Sequence, residues 1–183
     1  MKKILIFFLI INFKSVAQGL VNEKIIRNLQ NIDNLGFEFE QNIDGKIESG
    51  NCIIEYPKKI FCKYDNLNNK ILVSNGKSLV IKTKSGSYYR YSIKSTPLNY
   101  ILDKSFLIKE IKNLKGRIID EKFINFEIFK DNNQINIFFD NINYNLIGWQ
   151  TLDIYQNLSI TYIYSLRINQ RLEKNIFKLP ASN

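Results

Sequence analysis

Residues that could carry out chemistry are few in this chain of 183 amino acids, which has no histidine and only two cysteines. Without imidazole there is no Ser–His or Cys–His nucleophile pair and almost no route to a catalytic zinc site. Glu38 and Glu40 are candidates for paired-carboxylate catalysis, but they alternate with phenylalanines and so belong to the solvated face of a strand. No glycine-rich phosphate loop is present. We therefore expect a protein that is not an enzyme and that uses no metal and no cofactor.

Both cysteines lie in one predicted β-hairpin, GNCIIEYPKKIFCKYD, at residues 50–65. If Ile54 faces Ile60 across the hairpin, the same antiparallel register places Cys52 opposite Cys62. An oxidising compartment would favour a disulfide between them. The alternative is two free thiols that act as small apolar side chains on the inner face of a sheet.

The N-terminus has the features of a secretory signal. Lys2 and Lys3 precede the apolar stretch ILIFFLIINF, and residues 15–17 are small or β-branched, as at a signal-peptidase cleavage site. We predict that residues 1–17 are a cleaved signal peptide and that residues 18–183 form one domain in the periplasm. A retained membrane anchor is the alternative.

The charge of the exported chain is positive. The whole sequence has 26 Lys and Arg residues against 17 Asp and Glu residues, and the predicted signal removes three lysines and no acids. The remaining 23 basic residues give a net charge of +6. Because the chain is exported, we predict no nucleic-acid partner and favour attraction to anionic lipid headgroups, with simple solubility as the alternative.

The periodicity of the mature chain predicts one helix followed by many strands. Residues 19–34 place apolar side chains near a helical period, and from Phe37 onward the period is two. The turn dipeptides Asp44-Gly45 and Asn75-Gly76 mark tight hairpins, and Pro97 opens a short central helix. We predict about ten or eleven strands in a single curved antiparallel sheet, a mainly β fold with some α.

A curved sheet of this size has a concave face that must be filled. The aromatic and aliphatic side chains exceed what two helices would cover, so we predict an apolar cavity open to solvent. The inward side of strand residues 70–82 is not assigned, because both faces are apolar. The predicted ligand-contacting residues on the concave face are Phe37, Phe39, Ile54, Tyr56, Ile60, Tyr64 and Tyr162, and those on the lid helix are Leu98, Ile101 and Leu102.

Several segments occur in an order and spacing that match a known family. They are FEFEQ at the first strand, the hairpin DGKIESGNCIIEYPKKIFCKYD, the turn ILVSNGKSLVI, Thr96-Pro97-Leu98 at the central helix, and Phe177 followed by Pro180. With the opening helix, these features run through almost the whole mature chain. The sequence thereby resembles the periplasmic outer-membrane lipoprotein carrier family, LolA.

The resemblance implies an unclosed half-barrel with helices forming a lid over its mouth. It also implies a monomeric carrier that accepts acylated lipoproteins from an ABC-type releasing complex of the inner membrane. Such a carrier shields the acyl chains and delivers them to an outer-membrane acceptor, either a receptor or the membrane itself. The alternative is a periplasmic module on the same scaffold that senses lipids or lipoproteins.

Two positions depart from the family pattern. Tyr56 stands where the family often has an arginine that holds the lid, and a tyrosine cannot carry that charge. Cys62 stands where the family has a tryptophan. A bridge between the cysteines would stiffen the wall at a place where the family uses an aromatic ring.

Overall fold

The computed structural model describes residues 13–65, 69–153 and 156–182. One sheet of eleven strands dominates it. The strands are β1 (Asn34–Ile43), β2 (Lys46–Glu55), β3 (Lys59–Tyr64), β4 (Ile71–Asn75), β5 (Ser78–Lys82), β6 (Tyr88–Ser92), β7 (Arg117–Ile119), β8 (Phe123–Lys130), β9 (Asn133–Asp140), β10 (Leu146–Leu152) and β11 (Leu158–Ile168). The helices are α1 (Phe13–Gln30), α2 (Leu98–Ile101) and α3 (Lys104–Asn113), with a 3₁₀ turn at Ile93–Ser95 before α2.

The strand order across the sheet is β6-β5-β4-β3-β2-β1-β11-β10-β9-β8-β7. All paired neighbours are antiparallel. Strands that follow one another in the sequence pair with each other, except β6 and β7, and the last strand returns to lie beside the first. Strands β6 and β7 stand at opposite edges, so the sheet is not closed. The predicted mainly β, unclosed half-barrel is confirmed.

Helices α1 and α3 fill one end of the concave face. Ile25 and Leu29 of α1 and Leu107 and Ile111 of α3 are almost completely buried in the same core as the inward side chains of the sheet. The side-chain amide of Asn22 in α1 donates to the carbonyl oxygens at the end of α3, at 2.7 and 2.9 Å. This end of the half-barrel is therefore packed with the protein's own side chains.

The sequence predicts one short central helix, whereas the structure has a second helix, α3, directly after it. Two signals support the helix. The Asp103 carboxylate caps it by accepting from the backbone N–H of Phe106 at 3.1 Å, and Leu107 and Ile111, four residues apart, give one buried face. The central lid is thus two consecutive helices.

The C-terminal segment after β11 covers part of the outer face of the sheet. Leu172 and Ile176 line a groove together with Ile53 and Phe61, which point outward from β2 and β3, and the Lys82 ammonium donates to the carbonyl of Ala181 at 2.9 Å. In the same outward row, Val73 and Val80 are 1% and 0% exposed. The outward face of β4 and β5 is therefore apolar because it is buried.

Helix α1 begins at Phe13 and runs without a break past residue 17. The predicted cleavage site therefore lies inside the first turns of this helix, and the boundary between signal and domain stays a prediction. No helix in the described part of the chain has both the length and the hydropathy needed to cross a membrane.

Candidate functional site

A cavity of about 520 Å³ occupies the other end of the concave face. This volume is within the range of about 300–1,000 Å³ that is typical of small-molecule sites. The lining residues come from strands on both sides of the half-barrel and from α2. They are Gln41, Ile43, Lys46, Tyr64, Lys70, Leu72, Leu79, Ile81, Tyr89, Tyr91, Thr96, Pro97, Leu98, Trp149, Thr151, Leu152, Asp153 and Ser159.

One wall of the cavity is apolar. Leu72 of β4 lies opposite Ile81 of β5, which lies opposite Tyr89 of β6, and Leu79 lies opposite Tyr91 in the same sheet. These side chains point inward because their neighbours Val73 and Val80 point outward. The wall offers aliphatic and aromatic surface to a ligand. Within residues 70–82, the inward side is therefore the one with Leu72, Leu79 and Ile81.

The lid closes over this apolar wall. Thr96 precedes α2, and its hydroxyl donates to the carbonyl of Ile93 at 2.9 Å, which fixes the turn into the helix. Leu98, the first residue of α2, is partly exposed and reaches the cavity. The lid and this wall together enclose the apolar side of the cavity.

The opposite wall is polar. Gln41 of β1 donates from Nε2 to Ser159 Oγ and to Thr161 Oγ1, both at 3.1 Å and both in β11. Thr151 of β10 lies opposite Ser159 in the register. The Tyr64 hydroxyl donates to Gln41 Oε1 at 3.3 Å. This polar wall was not predicted from the sequence, although Gln41 is the last residue of the FEFEQ segment.

Two lysines stand at the mouth of the cavity. Lys70 pairs with Glu48, and its ammonium lies 3.7 Å above the centre of the Tyr64 ring. Lys46 makes a second, longer ion pair with Glu48 at 3.4 Å. Burial opposes the charge of Glu48, but the hydrogen bond and charge of Lys70 outweigh it, so the pKa of Glu48 lies below its ordinary value.

Burial, with the Glu48 charge added, raises the pKa of the Tyr64 phenol well above its ordinary value. The phenol therefore stays protonated and remains a donor to Gln41 at physiological pH. The mouth is an ordered set of charged and polar groups beside an apolar space.

A small second hollow of about 50 Å³ adjoins the cavity beneath Leu98. Phe39 and Ile60 line it together with a disulfide that joins Cys52 to Cys62, with the sulfur atoms 1.97 Å apart. The two cysteines lie directly opposite each other in β2 and β3. The disulfide thus fixes the floor of the site.

The concave-face residues predicted from the sequence fall into several groups. Tyr64 lines the cavity, and Phe39 and Ile60 line the adjoining hollow. Phe37 and Ile54 are completely buried in the core, and neither they nor the partly buried Tyr56 line either space. Of the predicted lid residues, Leu98 lines both spaces, whereas Ile101 and Leu102 are 1% and 0% exposed and anchor the lid to the core.

The prediction for Tyr162 is wrong. Its side chain is 52% exposed on the outer face of β11. In β11 it is Ser159, Thr161 and Ile163 that are buried, and Ile163 lies opposite Phe39, which fixes the inward face. The strand presents its tyrosines to solvent because its inward side forms the polar wall.

Lys58 fastens the lid at the hairpin turn next to Tyr56. Its backbone N–H donates to the carbonyl of Leu102 at 2.7 Å, and its ammonium lies 3.3 Å from the Asp103 carboxylate. Tyr56 is partly buried, and Lys104 reaches past its ring to the carbonyl of Ile32, at 2.7 Å. Lys58 in the hairpin turn and Lys104 in the lid thus supply the positive charge that Tyr56 lacks.

In the described ranges, no group of three or more Cys, Asp or Glu side chains is close enough to bind a metal ion. The cavity offers carbonyl, hydroxyl and amide groups and apolar surface.

Comparisons with known proteins place this architecture. The family model for the outer membrane lipoprotein carrier protein LolA matches residues 24–180. A search of curated proteins finds no significant sequence match.

Solved structures share the fold at low sequence identity. An uncharacterized conserved protein from Thermus thermophilus has a TM-score of 0.52 and 6% identity over 92% of this chain and 96% of that one. MucB has a TM-score of 0.51 and 8% identity over 91% of this chain, which spans 64% of MucB. A LolA superfamily protein from Nitrosomonas europaea has a TM-score of 0.48 and 9% identity over 88% of this chain and 97% of that one. The family match over most of the length, on an unclosed half-barrel of the predicted type, shows that the chain belongs to the LolA outer membrane lipoprotein carrier family.

Proposed function

We propose that this protein is a periplasmic carrier that binds acyl chains of lipoproteins in the cavity and ferries the lipoproteins from the inner to the outer membrane. The observation that supports this most is the partly empty, lidded cavity with one apolar wall, in a chain of this family. Transport of this kind is a binding process and needs no covalent step.

The cavity volume sets how much acyl chain it can shield. A methylene group takes about the volume of a water molecule, roughly 30 Å³, so about 520 Å³ holds about 17 methylenes. This is roughly one long acyl chain. Each methylene removed from water contributes about 0.8 kcal/mol, so a single chain supplies enough free energy for tight binding.

Further acyl chains of the same lipoprotein would have to lie at the mouth. An exposed apolar side chain is available there, since Leu152 at the rim is 37% exposed. Opening of the lid at Leu98 would enlarge the space further.

The direction of lipoprotein transport cannot come from the cavity alone, because binding to a passive carrier is reversible. The proposal therefore includes an ABC-type complex in the inner membrane that loads the carrier and an outer-membrane acceptor, receptor or membrane, that binds the cargo more tightly.

The proposal is tested by purifying the protein from the periplasm of its host and identifying bound molecules by mass spectrometry. We expect an acylated lipoprotein to co-purify with the wild type. Leu72→Trp, which places an indole in the cavity, should lose it, whereas Ile71→Trp on the outward side of the same strand should keep it. Absence of acylated partners from the wild type, or equal recovery with Leu72→Trp, would contradict the proposal.

A second measurement separates a carrier from a sensing module. The loaded protein is mixed with outer-membrane vesicles, and the lipoprotein is followed by sedimentation. A carrier transfers its cargo to the vesicles. Cargo that stays bound would favour the sensing module.

A further inference from the structure

We propose that the polar wall of the cavity, formed by Gln41, Thr151, Ser159 and Thr161, is a subsite for the ester carbonyl that ends an acyl chain. The inference rests on the proposed function and adds to it the orientation of the ligand. The acyl chain lies along the apolar wall of β4, β5 and β6, and its ester group faces the hydroxyls of β10 and β11.

The hydrogen bonding of Gln41 leaves donors pointing at the cavity. Its two amide hydrogens go to the hydroxyl oxygens of Ser159 and Thr161, at 3.1 Å each, and its carbonyl oxygen accepts from Tyr64. A hydroxyl that accepts a hydrogen bond keeps its own hydrogen to donate. Neither of these two hydroxyls donates to an acceptor within the described residues.

A third hydroxyl continues the row. Thr151 lies opposite Ser159 across β10 and β11, and these two side chains face the main cavity while Thr161 faces the adjoining hollow. All three residues are more than nine-tenths buried. Thr151 likewise makes no side-chain hydrogen bond to the described part of the protein.

A row of three hydroxyls would lower the stability of a wall that only packs against hydrocarbon, because a buried donor without an acceptor is destabilising. Aliphatic residues are the usual choice there, and the opposite wall has them. Water can serve the hydroxyls while the cavity is empty. A carbonyl oxygen with two lone pairs can accept from two neighbouring hydroxyls at once, which fits an ester better than a bare alkyl chain.

The charged groups nearby do not favour a free carboxylate as the ligand. Lys46 and Lys70 at the mouth are both paired with Glu48, and Asp153 lies on the same rim. A neutral acyl ester meets no repulsion from Asp153 and needs no cation. The polar wall therefore selects an acyl ester over a fatty acid.

The test compares two probes on one protein. N-phenyl-1-naphthylamine is an apolar dye that reports the cavity itself, and monopalmitoylglycerol, added as a competitor, is an acyl ester. In the Thr151→Val/Ser159→Ala double variant, which removes the two hydroxyls that face the main cavity, we expect unchanged dye affinity and about 5- to 150-fold weaker competition by monopalmitoylglycerol, as expected for two lost hydrogen bonds. Gln150→Leu, on the outward face of β10, should behave as wild type. Palmitate should compete less well than monopalmitoylglycerol with the wild type.

The outcomes are distinct. Unchanged competition in the double variant, or an equal loss for dye and ester, would overturn the subsite. Failure of both probes to bind the wild type would instead count against the proposed function. If the double variant does not fold, Thr151→Val is measured together with the infrared carbonyl stretch of carbon-13-labelled monopalmitoylglycerol. Binding to the wild type should lower that frequency and Thr151→Val should reverse part of the shift, and a frequency that is the same in both would overturn the proposal.

Discussion

Leu98 and Leu102 lie four residues apart on the lid but should respond in opposite ways to the same substitution. Leu98 is partly exposed and lines the cavity, whereas Leu102 is 0% exposed in the core. Leu98→Asp places a carboxylate that water can still reach in the empty site. Leu102→Asp buries a carboxylate with no partner designed for it.

The magnitudes follow from these two environments. An acyl chain that enters the Leu98→Asp cavity must desolvate the carboxylate, at a cost of at least about 1–3 kcal/mol, which weakens binding by about 5- to 150-fold. The Leu98→Asp substitution should have little effect on the stability of the fold. Leu102→Asp loses a buried aliphatic side chain and adds a buried charge, so we expect a loss of more than about 4 kcal/mol of stability. For a domain of this size that lowers the melting temperature by at least about 8 °C.

The assay is thermal unfolding by circular dichroism combined with titration of a fluorescent acyl ester. Ile142→Asp is the control, because Ile142 is 84% exposed and lies far from the lid in sequence. A Leu98→Asp protein that binds the probe like wild type would refute the placement of Leu98 in the acyl site. A Leu102→Asp protein with an unchanged melting temperature would refute the distinction between cavity and core.

Three further predictions concern stability. Replacing Cys52 and Cys62 by alanine should lower the free energy of unfolding by about 2–3 kcal/mol, measured by urea denaturation, and a change below about 1 kcal/mol would contradict this. Lys58→Met should weaken the lid by about 0.5 kcal/mol, and a double-mutant cycle with Asp103→Asn should give a coupling of that size rather than zero. Because the pKa of Glu48 is lower in the folded state, the contribution of Glu48 to stability is complete above the ordinary pKa near 4.5 and is lost as the pH falls through the folded value. Glu48→Gln should therefore make the free energy of unfolding less dependent on pH at acid pH. An unchanged pH dependence would contradict this prediction.

Local patterns were enough to predict the sheet and its turns. Phe37 and Phe39 are buried while Glu38 and Glu40 lie on the other face, because alternation fixes which side chains share a face. The dipeptide Asp44-Gly45 forms the predicted turn with positive φ at both residues. Pairing by short turns then determines most of the strand order.

The inward face of a strand was harder to predict where both faces carry suitable residues. In β11 the more apolar set, which includes Tyr162, faces solvent, and the set with Ser159 and Thr161 faces in. Alternation separates two faces without saying which one is concave. Only pairing with β1, through Ile163 opposite Phe39, decides it.

The sequence also could not predict which part of the concave face is core and which part lines the cavity. Phe37 and Ile54 are as apolar as Leu72 and Leu79, yet the first pair is completely buried and the second pair lines the cavity. Helix α3, which was not predicted, adds Leu107 and Ile111 to the buried core. Helix placement depends on contacts between distant segments, such as Asn22 with the end of α3.

The most direct test of the central claim is the dependence of affinity on acyl chain length, measured by calorimetry with monoacylated peptides from octanoyl to eicosanoyl. The account predicts that each added methylene strengthens binding by about fourfold, which corresponds to about 0.8 kcal/mol. The increase should stop when about 17 methylenes fill the cavity of about 520 Å³. Affinity that does not depend on chain length would contradict the claim that this cavity holds an acyl chain.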